Sequence, residues 1–299
     1  MPNESVLPAT IDDLQRALLQ HAYIADRGLA TSLFLALKLG RPLLLEGEPG
    51  VGKTEAAKAM AAVLGGELIR LQCYEGIDAS QALYAWDYPR QLMHLRYLEA
   101  QGEAFSETEL YASRFLLKRP LLQALEGEDE TPRVLLIDEI DRSDDEFEAF
   151  LLEILADFQI TIPELGVVRA QTRPLVILTS NRTRALHDAL TRRCLYCWID
   201  YPDFDAELAI VQARAPRAAE LLARQATGFV QALRAEELYK RPGVAETLDW
   251  VQALVALDQT ALEEEWIQAT LGVLLKDQAD LAHISDGAWQ GLWAGIRSR

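Results

Sequence analysis

A chain of 299 residues, half hydrophobic and one-quarter charged, has the balance of a folded, water-soluble protein with room for one large domain or two ordinary ones. Its 46 acidic against 29 basic side chains give a formal net charge of −17, which argues against broad nucleic-acid binding because that needs basic surface to displace counterions. The first ten residues lack a basic stretch leading into an apolar one, and no apolar run reaches membrane-spanning length. A cytoplasmic location is therefore expected, with peripheral membrane association left open.

Thr10-Ile-Asp-Asp13 predicts a helix start capped by Thr10, running to about Tyr23. Residues 29–39 read as a buried helix stopped by Gly40. Residues 43–46 form a strand, a glycine loop follows, and the Ala-rich run 54–64 is helical until Gly65-Gly66. Residues 67–72 form the next strand. The region 74–127 reads as a helical insertion between two strands, with an amphipathic stretch 91–100 ending at Gly102 and a second helical run 111–126 that contains Pro120. Residues 133–138 form a strand, and Ser143-Asp-Asp-Glu146 reads as a capping box for a helix ending near Phe158. Residues 159–163 and 167–171 flank Glu-Leu-Gly as a hairpin. Residues 175–179 and 196–201 are strands, with a helical stretch 185–190 before the last one. Beyond Pro202 the pattern is helical throughout. Alternating strands and helices imply an α/β fold, a parallel sheet with helices on both faces, through about residue 202. A smaller all-α domain would occupy 203–299.

Three strand ends carry chemistry. Gly47, Glu48, Pro49, Gly50, Val51, Gly52, Lys53 and Thr54 spell GxxxxGK[ST], placed between an apolar strand and a helix as a phosphate loop requires. The glycines let backbone N–H groups turn inward around a phosphate, and the helix N-terminus adds its positive dipole end. Lys53 is the candidate for the β- and γ-phosphates of ATP, and Thr54 for Mg²⁺. The plainer alternative, a glycine-rich turn with a solvated lysine, does not explain the matched flanks. Val-Leu-Leu-Ile-Asp138-Glu139 is an apolar strand ending in two carboxylates at the sheet edge where ligands sit in open α/β folds. Asp138 is the candidate Mg²⁺ residue, acting mainly through water, and Glu139 the general base for the attacking water. Val-Ile-Leu-Thr-Ser-Asn181 ends in an amide that donates and accepts, suited to orient that water or touch the γ-phosphate.

These elements in this order, followed by a helical last third, resemble the AAA+ ATPases. Asp138-Glu-Ile-Asp-Arg142, Phe150-Leu-Leu-Glu153, the hairpin and Thr179-Ser-Asn181 are similar to the MoxR group, as is the insertion after the second strand. Arg70-Leu-Gln-Cys-Tyr-Glu-Gly76, Asp157-Phe-Gln-Ile-Thr-Ile-Pro-Glu-Leu-Gly166, Thr179-Ser-Asn-Arg-Thr-Arg184 and Gly243-Val-Ala-Glu-Thr-Leu-Asp-Trp250 look like the CoxD-type MoxR proteins. The resemblance implies a homo-oligomeric ring, often a hexamer, with ATP at subunit interfaces. It also implies a partner with a von Willebrand factor A domain and a client metalloenzyme. For the CoxD type that client is carbon monoxide dehydrogenase, whose molybdenum–copper centre is assembled. Arg193 matches the arginine that such proteins present to the next subunit's ATP. One departure stands out: the lid arginine of many MoxR relatives is replaced by Thr247, and Arg241 is the nearby candidate substitute.

Cys194-Leu-Tyr-Cys197 has CxxC spacing, but without a second pair it reads as reduced, mostly buried thiols. His21, His94, His187 and His283 are dispersed and suggest no metal site. Trp86, Tyr88 and Tyr97 could contact a client or pack a core; Trp250, Trp266, Trp289 and Trp293 should pack the lid helices. Two other functions remain open: a nucleotide-gated adaptor with little turnover, and a DNA-acting AAA+ motor.

Overall fold

Five strands form a parallel sheet in the computed structural model, which describes residues 7–102, 107–126 and 132–297. Helices α1 (Ile11–Gln20) and α2 (Arg27–Leu39) precede β1 (Leu43–Gly47); α3 (Lys53–Leu64) and β2 (Glu67–Gln72) follow. Thr10 and Asp13 cap α1 reciprocally, the Asp13 N–H donating to Thr10 Oγ1 at 3.1 Å and the Thr10 N–H to Asp13 Oδ2 at 3.0 Å. That helix stops at Gln20, short of Tyr23, because Ala22 turns left-handed at φ 54°.

The insertion holds α4 (Ala79–Ala82), β3 (Tyr84–Trp86), α5 (Tyr88–Gln101), α6 (Glu107–Leu110), β4 (Leu116–Lys118) and α7 (Pro120–Leu125). The expectation of a purely helical insertion is corrected, since β3 and β4 pair antiparallel, Tyr84 opposite Lys118. The second helical run, 111–126, is broken for a simple reason. Pro120 lacks the N–H that an interior position needs and instead opens α7 in its first turn. Of the insertion's expected span, 103–106 and 127 lie outside the described residues, as do the first six residues of the chain.

Next come β5 (Arg133–Asp138), α8 (Asp145–Asp157), the antiparallel hairpin β6 (Gln159–Ile162) and β7 (Gly166–Arg169), then β8 (Leu175–Ser180), α9 (Asp188–Arg193) and β9 (Leu195–Ile199). The cap of α8 is Asp144, which accepts from the Phe147 N–H at 2.8 Å; Ser143 instead donates its hydroxyl to the Ile140 carbonyl. The N-cap therefore lies one residue later than expected, and Phe147 at the third helical position cannot complete a capping box. Strand order is β2-β5-β8-β1-β9. β5 and β8 are flanked on both sides and buried along almost their whole length, as their unbroken apolar runs require. β2 is an edge strand and alternates: Ile69 and Leu71 point into the core, while Arg70 shares the other face with Gln72.

The chain divides into two compact units. One contains residues up to Ala17, Arg27–Glu46 and Thr54–Trp198, with a core around Leu71, Leu122, Leu135, Ile137, Leu151 and Leu178. The other contains Leu18–Asp26, Gly47–Lys53 and the chain from Ile199 onward. Its helices are α10 (Phe204–Arg214), α11 (Glu220–Arg234), α12 (Val244–Ala256), α13 (Glu264–Leu274), α14 (Gln278–His283) and α15 (Trp289–Arg297). Trp250, Trp289 and Trp293 are buried in that second core and Trp266 packs against it. In the insertion Trp86 is buried, whereas Tyr88 and Tyr97 are exposed.

A buried charge network ties α10, α11 and α12 together. The Arg234 guanidinium forks onto Glu207, with both nitrogens at 2.6 Å from its carboxylate oxygens, and donates to the Pro242 carbonyl and to Thr247 Oγ1. Glu207 is fully buried and also accepts from Gln231 and Thr247. Arg234→Met would leave that carboxylate buried without its counter-charge, so a loss of about 3–5 kcal/mol is expected in denaturant unfolding. A wild-type midpoint for Arg234→Met would mean that the network contributes nothing to stability.

Candidate functional site

Asp138 ends β5, is 3% exposed, and is the centre of the first unit's polar cluster. Its Oδ1 accepts from Thr54 Oγ1 at 3.0 Å and from Thr179 Oγ1 at 2.5 Å. Its Oδ2 accepts from Arg70 Nη2 at 2.6 Å and Nε at 3.0 Å. Parallel pairing places Gln72 beside Asp138 and Arg70 one pleat back on the same face, which is how an edge strand reaches this carboxylate. Thr179 also accepts from the Glu139 N–H at 2.9 Å, so one hydroxyl fixes both acidic residues from the neighbouring strand β8.

Glu139 is left-handed at φ 55°, a conformation that costs a non-glycine residue about 1 kcal/mol or more. The turn swings its side chain out of the strand direction. There the carboxylate accepts from Gln72 Nε2 at 3.1 Å and Arg142 Nη1 at 3.2 Å. Asn181 follows β8 directly. Asp141, 2% exposed, clasps the segment after it: Oδ2 accepts from the N–H groups of Asn181 at 3.3 Å and Thr183 at 2.8 Å, and from the Thr183 hydroxyl at 2.7 Å. Farther along that segment, the fully buried Glu148 accepts from Arg184 and from the His187 N–H at 2.7 Å, setting the start of α9.

Arg192 and Arg193 lie in the last turn of α9, not after it as the sequence suggested. Arg41 braces that turn from below, its Nη2 donating to the carbonyls of Arg192 at 3.2 Å, Arg193 at 3.1 Å and Cys194 at 3.4 Å. A cation there also complements the negative helix end. The Arg193 guanidinium donates to the Leu152 carbonyl, whereas Arg192 sits 3.9 Å from Asp188.

Residues 47–53 of the candidate phosphate loop belong to the second unit. Gly50 and Gly52 take φ of 78° and 96°, the left-handed region where a side chain would be strained, and this curls the loop. Lys53 is 7% exposed and its ammonium donates to the carbonyls of Gly47 at 2.7 Å and Glu48 at 2.8 Å. The N-terminus of α12 faces the same loop, with the Val244 N–H donating to the Gly50 carbonyl at 3.0 Å and the Ala245 N–H at 3.3 Å. Thr247, on this helix, is fully buried against Glu207 and Arg234. Arg241 is exposed and, with Glu48, Glu246 and Arg234, lies in the field of Tyr201, whose hydroxyl is held above its usual pKa by burial first and Glu48 second.

The two cysteines of the CxxC run are free thiols: burial pushes Cys194 up to about 12, and Cys197 is half-buried. Cys73 is likewise pushed to about 12, by burial and then by the acids Asp138, Asp141, Glu139 and Glu148. Among the described residues no cluster of three or more His, Cys, Asp or Glu could hold a metal ion by itself. Nor is any helix among them long and apolar enough to cross a membrane.

The profile of the AAA domain, dynein-related subfamily, matches residues 42–194, about half of the chain. The chain belongs to this family. The fold is thus that of an AAA-type nucleotide-binding ATPase core followed by a helical region. The chain is also 46% identical over 48 residues to Midasin of Giardia intestinalis, a stretch that covers 16% of this chain and 1% of that protein. Sequence reasoning missed Arg70 and Gln72 as partners of the strand-end acids. Their signal was available: polar residues two apart on one face of an edge strand.

Proposed function

We propose that this chain binds ATP with Mg²⁺, hydrolyses the ATP, and uses the energy to remodel a client enzyme. The observation that carries the reading is the contact between Thr54 and Asp138 across two strand ends, with Lys53 preceding Thr54 in the curled loop. A hydroxyl and a carboxylate 3.0 Å apart are hard oxygen donors that suit Mg²⁺, and a buried ammonium resting on loop carbonyls suits a phosphate in their place. In this reading the loop of Gly47, Glu48, Pro49, Gly50, Val51 and Gly52 holds the phosphates, Lys53 contacts the β- and γ-phosphates, and Thr54 and Asp138 hold the metal. The bound Mg²⁺ would supply charge neutralisation at the phosphates. Glu139 takes the proton of the attacking water and Asn181 orients that water. Residues through 202 act as the ATPase domain and 203–299 as its lid. The lid contact made by arginine in MoxR relatives is absent at the buried Thr247, and Arg241 is the exposed substitute.

The finer assignment is to MoxR-type chaperones of the CoxD kind, working as a ring with a von Willebrand factor A partner on a metalloenzyme such as carbon monoxide dehydrogenase. The quoted sequence runs, the insertion after β2 and the β6–β7 hairpin support it. Lys53→Ala removes a charge-assisted contact worth about 1.5–3 kcal/mol, so ATP affinity should fall about 10–100-fold in calorimetry. Undiminished affinity would sink the nucleotide assignment. Affinity capture with ATP-loaded Glu139→Gln, followed by identification of retained proteins, tests the client.

A further inference from the structure

Arg70 is the one cation seated on Asp138 among the described residues, and the assigned chemistry gives it no task. Both of its donating nitrogens converge on Oδ2, at 2.6 Å and 3.0 Å. The other oxygen is taken by two hydroxyls, so Arg70 supplies the counter-charge that this almost fully buried carboxylate needs. The arginine itself is different in kind: its side chain is 50% exposed and springs from an edge strand with nothing beyond it in the sheet. A long, half-solvated side chain can leave a carboxylate without opening the core.

We propose that Arg70 is a placeholder cation on Asp138, which neutralises the carboxylate before metal arrives and opposes Mg²⁺ when it does. The proposal rests on the reading of Thr54 and Asp138 as the Mg²⁺ residues. Two cations cannot share one carboxylate without repelling each other. Even with the full screening of bulk water, a guanidinium and a divalent ion drawn to the same carboxylate repel each other enough to weaken metal binding by about tenfold. Without metal the same charge works in the other direction, since it screens Asp138 from an incoming polyphosphate. Arg70 is thus a positioning residue that makes the site receptive to nucleotide and sets how strongly metal is then held.

The test is the dissociation constant of a fluorescent ADP analogue, measured in excess EDTA and in excess Mg²⁺, and the ratio of the two. In Arg70→Met the ratio should rise about tenfold over wild type, from both weaker binding in EDTA and tighter binding in Mg²⁺. Arg70→Lys keeps the charge and should stay within about twofold of wild type. If Arg70 only props up Asp138, the ratio in Arg70→Met falls or does not change, and the proposal is overturned. Should Arg70→Met fail to fold, Arg70→Gln carries the same expectation. Equal binding of the analogue with and without Mg²⁺ in both wild type and Arg70→Met also overturns the proposal while the nucleotide reading stands. A wild-type protein that binds no analogue at all overturns both.

Discussion

Glu139→Gln should bind ATP about as well as wild type and hydrolyse it at least about 10²-fold more slowly, the lower range for loss of a general base. The substitution keeps the shape of the side chain and its ability to accept from Gln72 and Arg142, which hold the carboxylate at 3.1 Å and 3.2 Å. It removes the capacity to take a proton, together with the negative charge that pairs with Arg142 at 3.2 Å. The backbone turn at φ 55° and the N–H bond to Thr179 do not involve the side-chain charge, and the lost pair with Arg142 is half-exposed and worth little. Single-turnover hydrolysis is the measurement, with ATP binding as its control. Unchanged turnover would mean that another group activates the water. Asp141 would be examined next: its Oδ2 is taken by three donors from the segment after β8, while its buried Oδ1 has no hydrogen-bond partner.

The strands that carry these acids were legible because burial on both faces forces an unbroken apolar run, and only such a run can end abruptly in polar residues. Residues 133–138 and 175–179 therefore announced their conformation, and the structure extends the second to Ser180. The turn of the glycine loop was legible for a different reason: its spacing is fixed by backbone geometry, here the positive φ of Gly50 and Gly52. What could not be read was non-local. Arg70 meets Asp138 from 68 positions away through the β2–β5 register, and no periodicity within β2 reports which strand will lie beside it. The pair β3–β4 was hidden likewise, since three-residue strands are too short to show alternation and Pro120 was read as lying within a helix instead of starting one. Thr247 could be recognised as a departure from the lid arginine, but not as part of a sealed ion-pair network with Glu207 and Arg234.

Arg193→Ala should retain ATP binding and lose about 10³-fold or more in hydrolysis, if its guanidinium serves the ATP of a neighbouring subunit as arginine fingers do in other NTPases. A guanidinium is permanently charged and forks onto phosphate oxygens, so it can stabilise charge that develops at the γ-phosphoryl group. Arg193 is exposed, sits in the last turn of α9, and donates to the backbone carbonyl of Leu152. A neutral carbonyl holds it far less firmly than a buried carboxylate would. The turn that carries it is braced by Arg41 and, at the start of its approach, by Glu148. Arg192 is the natural control, being 3.9 Å from Asp188 in an exposed pair worth little, and Arg192→Ala should have a much smaller effect. A residue that acts in a neighbour makes hydrolysis depend on assembly, so specific activity should rise with protein concentration. Mixing Arg193→Ala with Lys53→Ala subunits should also restore part of the activity, because one class of interface in the mixed ring then keeps an intact loop facing an intact arginine. Full activity of Arg193→Ala, or mixed rings that form yet recover nothing, would show that Arg193 does not act across the interface.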